Sequence, residues 1–276
     1  MDEPIIKTGF TDLDKIIGEI YPGELMVIGA GPSIGKTSFL AALIRNITWK
    51  HEKKGVLFSL IKPIASFRKY LVSSISGLPI GIISHRLERL SEEELEVYKM
   101  YSFEVGNLPL FIDDTPDKTI NVLCKSARKK VLEDGVEIIY IDDIDCIGVD
   151  SGPIPFSVHI SEVMKKLKQL AKELNVPIVG TLHASRTSEP DPPPLSRFHH
   201  SSVIENADVI LLLAEQRIRG SIPSPQIETL KIGKNIYGNT GEIKIRYFLD
   251  TVCFDNFNPS SEYKLPEEQK SFKAYY

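Results

Sequence analysis

One short segment carries the clearest chemistry in this sequence. Residues 25–30 are apolar, a turn containing Gly31 and Pro32 follows, and Gly35-Lys36-Thr37-Ser38 leads into a second apolar stretch. A strand, a glycine-rich turn and a helix in that order form a phosphate-binding loop, whose backbone N–H groups and helix N-terminus hold nucleotide phosphates. We expect binding of ATP or a related nucleotide by the whole loop: Ala30, Gly31, Pro32, Ser33, Ile34, Gly35, Lys36, Thr37 and Ser38.

Two side chains of this loop have specific predicted roles. Lys36 is expected to reach the outer phosphates, and the Thr37 hydroxyl is expected to bind Mg²⁺. Ala30 replaces the first glycine of the usual pattern, although Gly29 and Gly31 flank it. The alternative is a chance Gly-Lys-Thr after a core strand, which the flanking strand and helix make rare.

A second strand ends in an acid. Ile138-Ile139-Tyr140-Ile141 precedes Asp142, and Asp143 and Asp145 follow closely. In phosphate-loop proteins such an acid lies opposite the loop and holds Mg²⁺, so we predict this role for Asp142 with Thr37. Three acids at one strand end also favour a nearby cation. The alternative is an ordinary acidic turn.

The order of elements predicts an α/β fold. Apolar runs lacking clean alternation are typical of buried parallel strands, and repeated strand–helix order predicts a mostly parallel sheet with helices on both faces. The last two runs alternate and predict an antiparallel C-terminal edge. The predicted strands are 25–30, 56–60, 109–113, 137–142, 177–182, 209–214, 228–232 and 242–249, and the predicted helices are 37–49, 64–76, 92–104, 119–133 and 158–174.

The rest of the sequence sets limits on the function. The formal net charge is −4, so any contact with nucleic acid needs a local basic patch. Cys124, Cys146 and Cys253 lack metal-ligand spacing, which predicts reduced thiols in a cytoplasmic protein. No signal peptide and no membrane-spanning run is recognisable. We predict an ATPase core over 1–256, a polar tail over 257–276, and two long functional loops at 148–157 and 184–202.

Most of the sequence resembles the motor domain of DnaB-type replicative helicases. The similar segments follow the order of that family from about residue 8 to residue 255. They are Thr8-Gly9-Phe10-Thr11-Asp12-Leu13-Asp14-Lys15, Ala30 through Thr37, Phe58-Ser59-Leu60, Ile112-Asp113-Asp114, Leu170 through Val179, Glu205-Asn206-Ala207-Asp208 and Ile232-Gly233-Lys234. The resemblance implies a RecA-like core, a ring-shaped homo-oligomer such as a hexamer, and ATP-driven movement along single-stranded DNA.

The departures from that family concern catalysis. The family follows Phe-Ser-Leu with a glutamate that activates the attacking water, and Ile61 stands there, followed by Lys62. The family's arginine finger lies two residues after the lysine that corresponds to Lys234, and Ile236 occupies its place. The γ-phosphate sensor corresponds to His183, which can still form a hydrogen bond to phosphate. The resemblance therefore keeps Lys36, Asp142, His183 and Lys234 as candidate catalytic residues and predicts impaired turnover.

Other residues are candidates to compensate for these losses. Asp143 follows the predicted Mg²⁺ acid and is a candidate base, one methylene shorter than glutamate. Arg217 and Arg219 are candidate substitute cations, although ordinary surface arginines are the simpler interpretation. By position in the family, the two long loops would contact DNA, with Arg186, Arg197, His199 and His200 as phosphate partners. The first loop has no lysine or arginine, and Asp150 there opposes phosphate.

Three functional hypotheses remain. The first is an ATP-binding helicase motor domain that acts on single-stranded DNA in replication. The second is a non-motor accessory protein gated by ATP, or a hetero-oligomeric partner of an active helicase. The third, a recombinase-like or clock-type RecA relative, explains the segments at 58–60 and 170–179 less well. The initiating Met1 and the altered catalytic positions favour a stand-alone paralogue over an excised domain.

Overall fold

The computed structural model describes residues 6–152, 154–184, 195, 198, 201–213 and 225–258. These residues contain one nine-stranded sheet in the order β3-β2-β4-β5-β1-β6-β7-β8-β9. Strands β1 to β6 pair in parallel, and β7 to β9 extend the sheet as an antiparallel edge. The strands are β1 (Leu25–Ala30), β2 (Gly55–Ser59), β3 (Leu110–Asp113), β4 (Ile138–Asp142), β5 (Ile178–His183), β6 (Val209–Leu213), β7 (Gln226–Asn235), β8 (Gly241–Phe248) and β9 (Cys253–Asn256).

Helices cover both faces of this sheet. The longest one, Phe156–Leu174, buries a stripe that includes Val163, Met164 and Leu167 and leaves Lys165 exposed, as its apolar periodicity predicts. The helices are α1 (Thr11–Ile17), α2 (Lys36–Ile44), α3 (Ile64–Ser76), α4 (Ile80–His85), α5 (Glu92–Gly106), α6 (Ile120–Asp134), α7 (Phe156–Leu174) and α8 (Ser201–Asn206), and α2 continues through a π-helical turn, Arg45–Trp49.

The central strand shows why the run 25–30 is apolar throughout. Every residue of β1 is buried, because helices pack on both of its faces. Met26 and Ile28 join a cluster that includes residues of α2, whereas Leu25 and Val27 join a second cluster with residues of α7. Burial of one such side chain stabilises a fold by about 1.5–3 kcal/mol. The predicted mostly parallel α/β sheet with an antiparallel edge is confirmed.

The structure contains elements that the sequence patterns did not reveal. Helices α1, α4 and α8 are each seven residues or shorter, too short for a clear period. Strand β9 was also missed, because its assignment depends on pairing with β8 and not on a local pattern. The predicted loops are shorter than expected: Phe156 and Ser157 belong to α7, and Ser201 and Ser202 belong to α8.

Two further predictions can be compared with the described residues only. The predicted tail over 257–276 lies outside them except for Phe257 and Asn258. In the described part of the chain, no helix is both long and apolar enough to cross a membrane.

Candidate functional site

The phosphate loop lies at the centre of the sheet, after the carboxyl end of β1. Strand β1 is flanked by β5 and β6, so the ends of three parallel strands surround the loop. Helix α2 begins at Lys36, directly after Gly35, whose φ of 107° disfavours any residue with a side chain. A Cβ atom at Gly35 would also lie 3.1 Å from the Phe254 ring. The turn therefore needs glycine for conformation and for space.

Asp142 is brought next to the loop by β4. Its Oδ2 atom accepts a hydrogen bond from the Thr37 hydroxyl at 3.0 Å, and its Oδ1 atom accepts one from the Thr181 hydroxyl at 2.9 Å. Burial raises the pKa of Asp142, and the two hydroxyl hydrogen bonds oppose that rise. The predicted pairing of Thr37 with Asp142 is present, and its hydroxyl and carboxylate oxygens are ligands that suit Mg²⁺.

The two following acids have protein partners instead. Asp143 is buried, and its Oδ2 atom lies 3.2 Å from the Lys36 Nζ atom. Asp145 accepts a hydrogen bond from the His183 backbone N–H at 2.7 Å. Burial, helped by the Asp143 charge, raises the pKa of Asp145 to about 6. Within the described residues, no three His, Cys, Asp or Glu side chains are grouped to hold a metal ion. Lys36 is a cation beside this acidic turn, and the Mg²⁺ expected there stays a prediction.

His183 stands at the same strand-end edge. Its Nδ1 atom lies 3.4 Å from Lys36 Nζ, at the end of β5. The ring is therefore next to the lysine that is expected to bind the outer phosphates. This location suits the sensor role implied by the family resemblance, which stays a prediction.

A cavity of about 400 Å³ lies over the loop. Besides loop residues, it is lined by Lys62 from the β2–α3 turn, Tyr70 from α3, Tyr247 from β8 and Val252 from the β8–β9 turn. The Tyr247 hydroxyl lies 3.3 Å from the Ser38 hydroxyl. Sequence reasoning did not predict these four residues as part of the site, because none belongs to a motif. Lys62 was noted there only as the residue that follows Ile61.

The substituted catalytic positions are open to solvent. The Ile61 side chain is 52% exposed and that of Ile236 is 54% exposed. Lys234, by contrast, donates hydrogen bonds to the carbonyls of Ile204 and Ala207, at 2.5 and 2.6 Å, and so caps the end of α8. Its catalytic role stays a prediction, and within this chain its ammonium faces backbone carbonyls.

The predicted DNA contacts are only partly within the described residues. Arg186, Arg197, His199, His200, Arg217 and Arg219 lie outside them. Phe198, between two of these residues, is described and packs against β1: a Cβ atom at Gly29 would lie 2.5 Å from its ring. In the first loop, Asp150 accepts a hydrogen bond from the Thr119 hydroxyl at 2.8 Å.

Comparison with known proteins identifies the same family over the described core. The family model of the DnaB-like helicase C terminal domain matches residues 5–256. The replicative DNA helicase DnaB of Haemophilus influenzae is 29% identical over 269 residues, covering 94% of this chain and 57% of the relative. That of Treponema pallidum is 30% identical over 253 residues, covering 90% and 56%. The chain thus spans somewhat more than half the length of these relatives.

Solved structures share the fold. A DnaB-like replicative helicase, described with its interactions with primase, superposes with a TM-score of 0.85 at 23% identity, covering 94% of this chain and 65% of that one. A second solved structure, which is of an ATPase domain, superposes with a TM-score of 0.84 at 22% identity, covering 92% and 91%. These matches confirm the predicted α/β fold.

Proposed function

This chain belongs to the family of DnaB-like helicase C-terminal domains, and we propose that it is an ATP-binding motor domain that acts on single-stranded DNA in replication. The observation that carries the proposal is the contact between Thr37 and Asp142, 3.0 Å apart across the strand-end edge, beside Lys36. These residues come from two separate segments, and together they would hold phosphate and Mg²⁺. We also propose that residues 1–256 form the ATPase core and that residues 257–276 form a polar tail.

Binding of ATP would rearrange the contacts of Lys36. The loop N–H groups and the positive end of α2 attract the phosphates, and Lys36 exchanges its contact with Asp143 for the outer phosphates. Thr37 and Asp142 would hold Mg²⁺, and the ion would neutralise the charge of the phosphates. His183, next to Lys36, is the candidate hydrogen-bond partner of the γ-phosphate.

Turnover is proposed to be impaired, because two catalytic groups of the family are replaced. Loss of a general base, here at Ile61, costs about 10²–10⁴ in rate. Loss of an arginine finger, here at Ile236, costs about 10³–10⁵. Both isoleucines are more than half exposed and offer no proton acceptor or cation. Asp143 is the remaining candidate base, and Asp143→Asn with unchanged turnover would exclude it.

The exposed isoleucines also favour a second candidate function. An ATP-gated accessory protein, or a hetero-oligomeric partner of an active helicase, needs the nucleotide site without the base. A neighbouring subunit would supply an arginine finger in trans, but not the missing base at Ile61. Contact with single-stranded DNA through Arg186, Arg197, His199 and His200 belongs to both candidates and is expected to weaken with salt.

ATP turnover with and without single-stranded DNA distinguishes the two, with Lys36→Ala as the blank. DNA-stimulated turnover above the blank supports the motor, and we expect it to be slow. Tight nucleotide binding with turnover equal to that of the blank would reject the motor and leave the nucleotide-gated partner. Failure to bind nucleotide better than Lys36→Ala would contradict both.

A further inference from the structure

One cation in the nucleotide cavity has no assigned role. Lys62 lines the cavity together with Lys36 and Thr37, directly after the position where the family has its water-activating glutamate. We propose that Lys62 is a phosphate-binding residue that contacts the outer phosphates of the nucleotide from the turn between β2 and α3. This inference rests on the proposed binding of ATP and adds a contact from a residue outside every motif.

The backbone of the β2–α3 turn fixes the position of Lys62. The Ser59 hydroxyl donates a hydrogen bond to the Lys62 carbonyl at 2.6 Å, which closes the turn. The Leu60 N–H donates to the Asp142 carbonyl at 2.7 Å, which ties the turn to the end of β4. Ile61 therefore faces solvent, with a 52% exposed side chain, while Lys62 lies along the cavity wall.

The ammonium group of Lys62 is available to an anion. Its Nζ atom lies 5.0 Å from the centroid of the Tyr70 ring, which also lines the cavity. Over the described residues it has no carboxylate partner within ion-pair distance. A cation held over an aromatic face keeps its donors free for a phosphate, which is a stronger partner than the ring.

The electrostatics of the site agree with this location. Lys62 and Thr37 line the same cavity, and the Thr37 hydroxyl donates a hydrogen bond to Asp142 at 3.0 Å. Asp142 marks the place where Mg²⁺ and the outer phosphates are expected. Lys36, the other cation of the cavity, already lies 3.2 Å from Asp143. Lys62 thus adds a second positive charge to the described lining of the cavity.

This arrangement has a consequence for function. The family's glutamate at this wall activates water, whereas isoleucine and lysine here supply no carboxylate for that role, and the lysine charge attracts phosphates. The substitution pair Ile61 and Lys62 therefore favours retention of the nucleoside triphosphate over its hydrolysis. The Lys62 contact should increase the affinity for ATP most, the affinity for ADP less, and the affinity for adenosine not at all.

Calorimetric titration of the full chain with ATP, ADP and adenosine in Mg²⁺ tests the assignment. Lys62→Met removes the charge at similar length, Lys62→Arg restores a cation, and Lys129→Met is a matched control on the exposed face of α6. A charge-assisted contact to phosphate corresponds to roughly a tenfold change in affinity. We expect about tenfold weaker ATP binding by Lys62→Met, a smaller loss for ADP, and near wild-type binding by Lys62→Arg and Lys129→Met.

The outcomes separate this inference from the function on which it rests. Wild-type affinity for ATP in a folded Lys62→Met chain, with Lys36→Ala still defective, would overturn the role of Lys62 and leave ATP binding intact. Equal losses for ATP and adenosine would overturn it as well, since they would indicate a distorted pocket. A wild-type chain that binds ATP no better than Lys36→Ala would overturn the proposed function and this inference together. Thermal unfolding of each variant verifies that it is folded, and Lys62→Gln replaces Lys62→Met if needed.

Discussion

Lys36 and the three acids at the end of β4 have protein partners at the strand-end edge. Lys36 contacts Asp143, Asp142 accepts hydrogen bonds from two threonine hydroxyls, and Asp145 accepts one from the His183 backbone. These contacts hold three carboxylates close together, where like charges would otherwise repel one another. These hydrogen bonds and the ion pair with Lys36 therefore hold the three carboxylates in place.

Asp142→Asn should abolish the contribution of Mg²⁺ to ATP binding. Asparagine preserves the size of the side chain but removes the charge that favours a divalent cation. We expect ATP affinity in Mg²⁺ to fall to about the value measured in EDTA, with little change in thermal stability. Calorimetric titration in both buffers measures this, and Asp150→Asn on the nearby loop is the control. A retained response to Mg²⁺ would show that Asp142 is not the metal acid.

Glu24 is a buried acid away from the nucleotide site. Its Oε2 atom accepts a hydrogen bond from the Tyr21 N–H at 3.0 Å, and its Oε1 atom has no hydrogen-bond partner in the described structure. Burial raises its pKa from 4.5 to about 8. The protonated form is thus preferred in the fold, and its ionisation costs stability as the pH rises between these values.

Glu24→Gln should therefore stabilise the fold at alkaline pH. The contribution of Glu24 to wild-type stability is fully present below pH 4.5 and is lost as the pH rises toward about 8, by up to about 1.4 kcal/mol for each pH unit. The variant has no ionisable group there and should escape this loss. Thermal unfolding from pH 5 to pH 9 measures it, with the exposed Glu133→Gln as control. A difference in Tm that stays constant with pH would contradict the buried, protonated state.

At the scale of elements, β9 connects the C-terminal edge of the sheet to the phosphate loop. Phe254 on β9 stacks on Tyr247 of β8, with ring centroids 4.1 Å apart, and meets Phe39 of α2 edge-on. Its ring also packs against Gly35. The Arg45 guanidinium donates a hydrogen bond to the Phe254 carbonyl at 2.8 Å. The edge strand thus packs beneath the loop that binds phosphate.

Phe254→Ala should destabilise the core and loosen the phosphate loop. Phe254 is completely buried, and truncation of a buried phenylalanine costs about 3–5 kcal/mol. We expect that loss in urea unfolding, together with weaker ATP binding. Phe103→Ala on α5, where the side chain is 74% exposed, is the matched control and should change stability little. Similar effects of the two substitutions would refute the packing role of β9.

At the scale of the whole molecule, the open question is assembly. The chain spans somewhat more than half of its DnaB relatives, and the ring implied by the resemblance is a proposal for it. Ile236, which takes the place of the arginine finger in the family resemblance, is exposed in this chain. Nucleotide bound between subunits stabilises an assembly by mass action.

Sedimentation with and without ATP and Mg²⁺ measures that assembly. For the motor function we expect a shift to a hexamer or another larger homo-oligomer on addition of both ligands. Lys36→Ala should not respond, since it lacks the phosphate contact. A wild-type chain that stays monomeric under both conditions would favour the accessory function, and larger species formed only with an active helicase would favour a hetero-oligomer.

The sequence by itself determined the features that have a local pattern. The phosphate loop, the strand ending in Asp142 and the amphipathic helix α7 are encoded in neighbouring residues, and the structure has each of them with nearly the predicted bounds. Apolar runs revealed eight of the nine strands, since burial on one or both faces of a sheet leaves a local signature.

Only the tertiary structure decided which distant segments meet. Thr37 and Asp142 are 105 residues apart, and the sheet order alone brings them into contact. Lys62, Tyr70 and Tyr247 join the cavity wall for the same reason, and β9 exists because β8 lies beside it. Hydrophobic periodicity specifies which face of an element is buried, but not the partner against which it packs. The second cation of the nucleotide cavity was therefore visible only in the folded molecule.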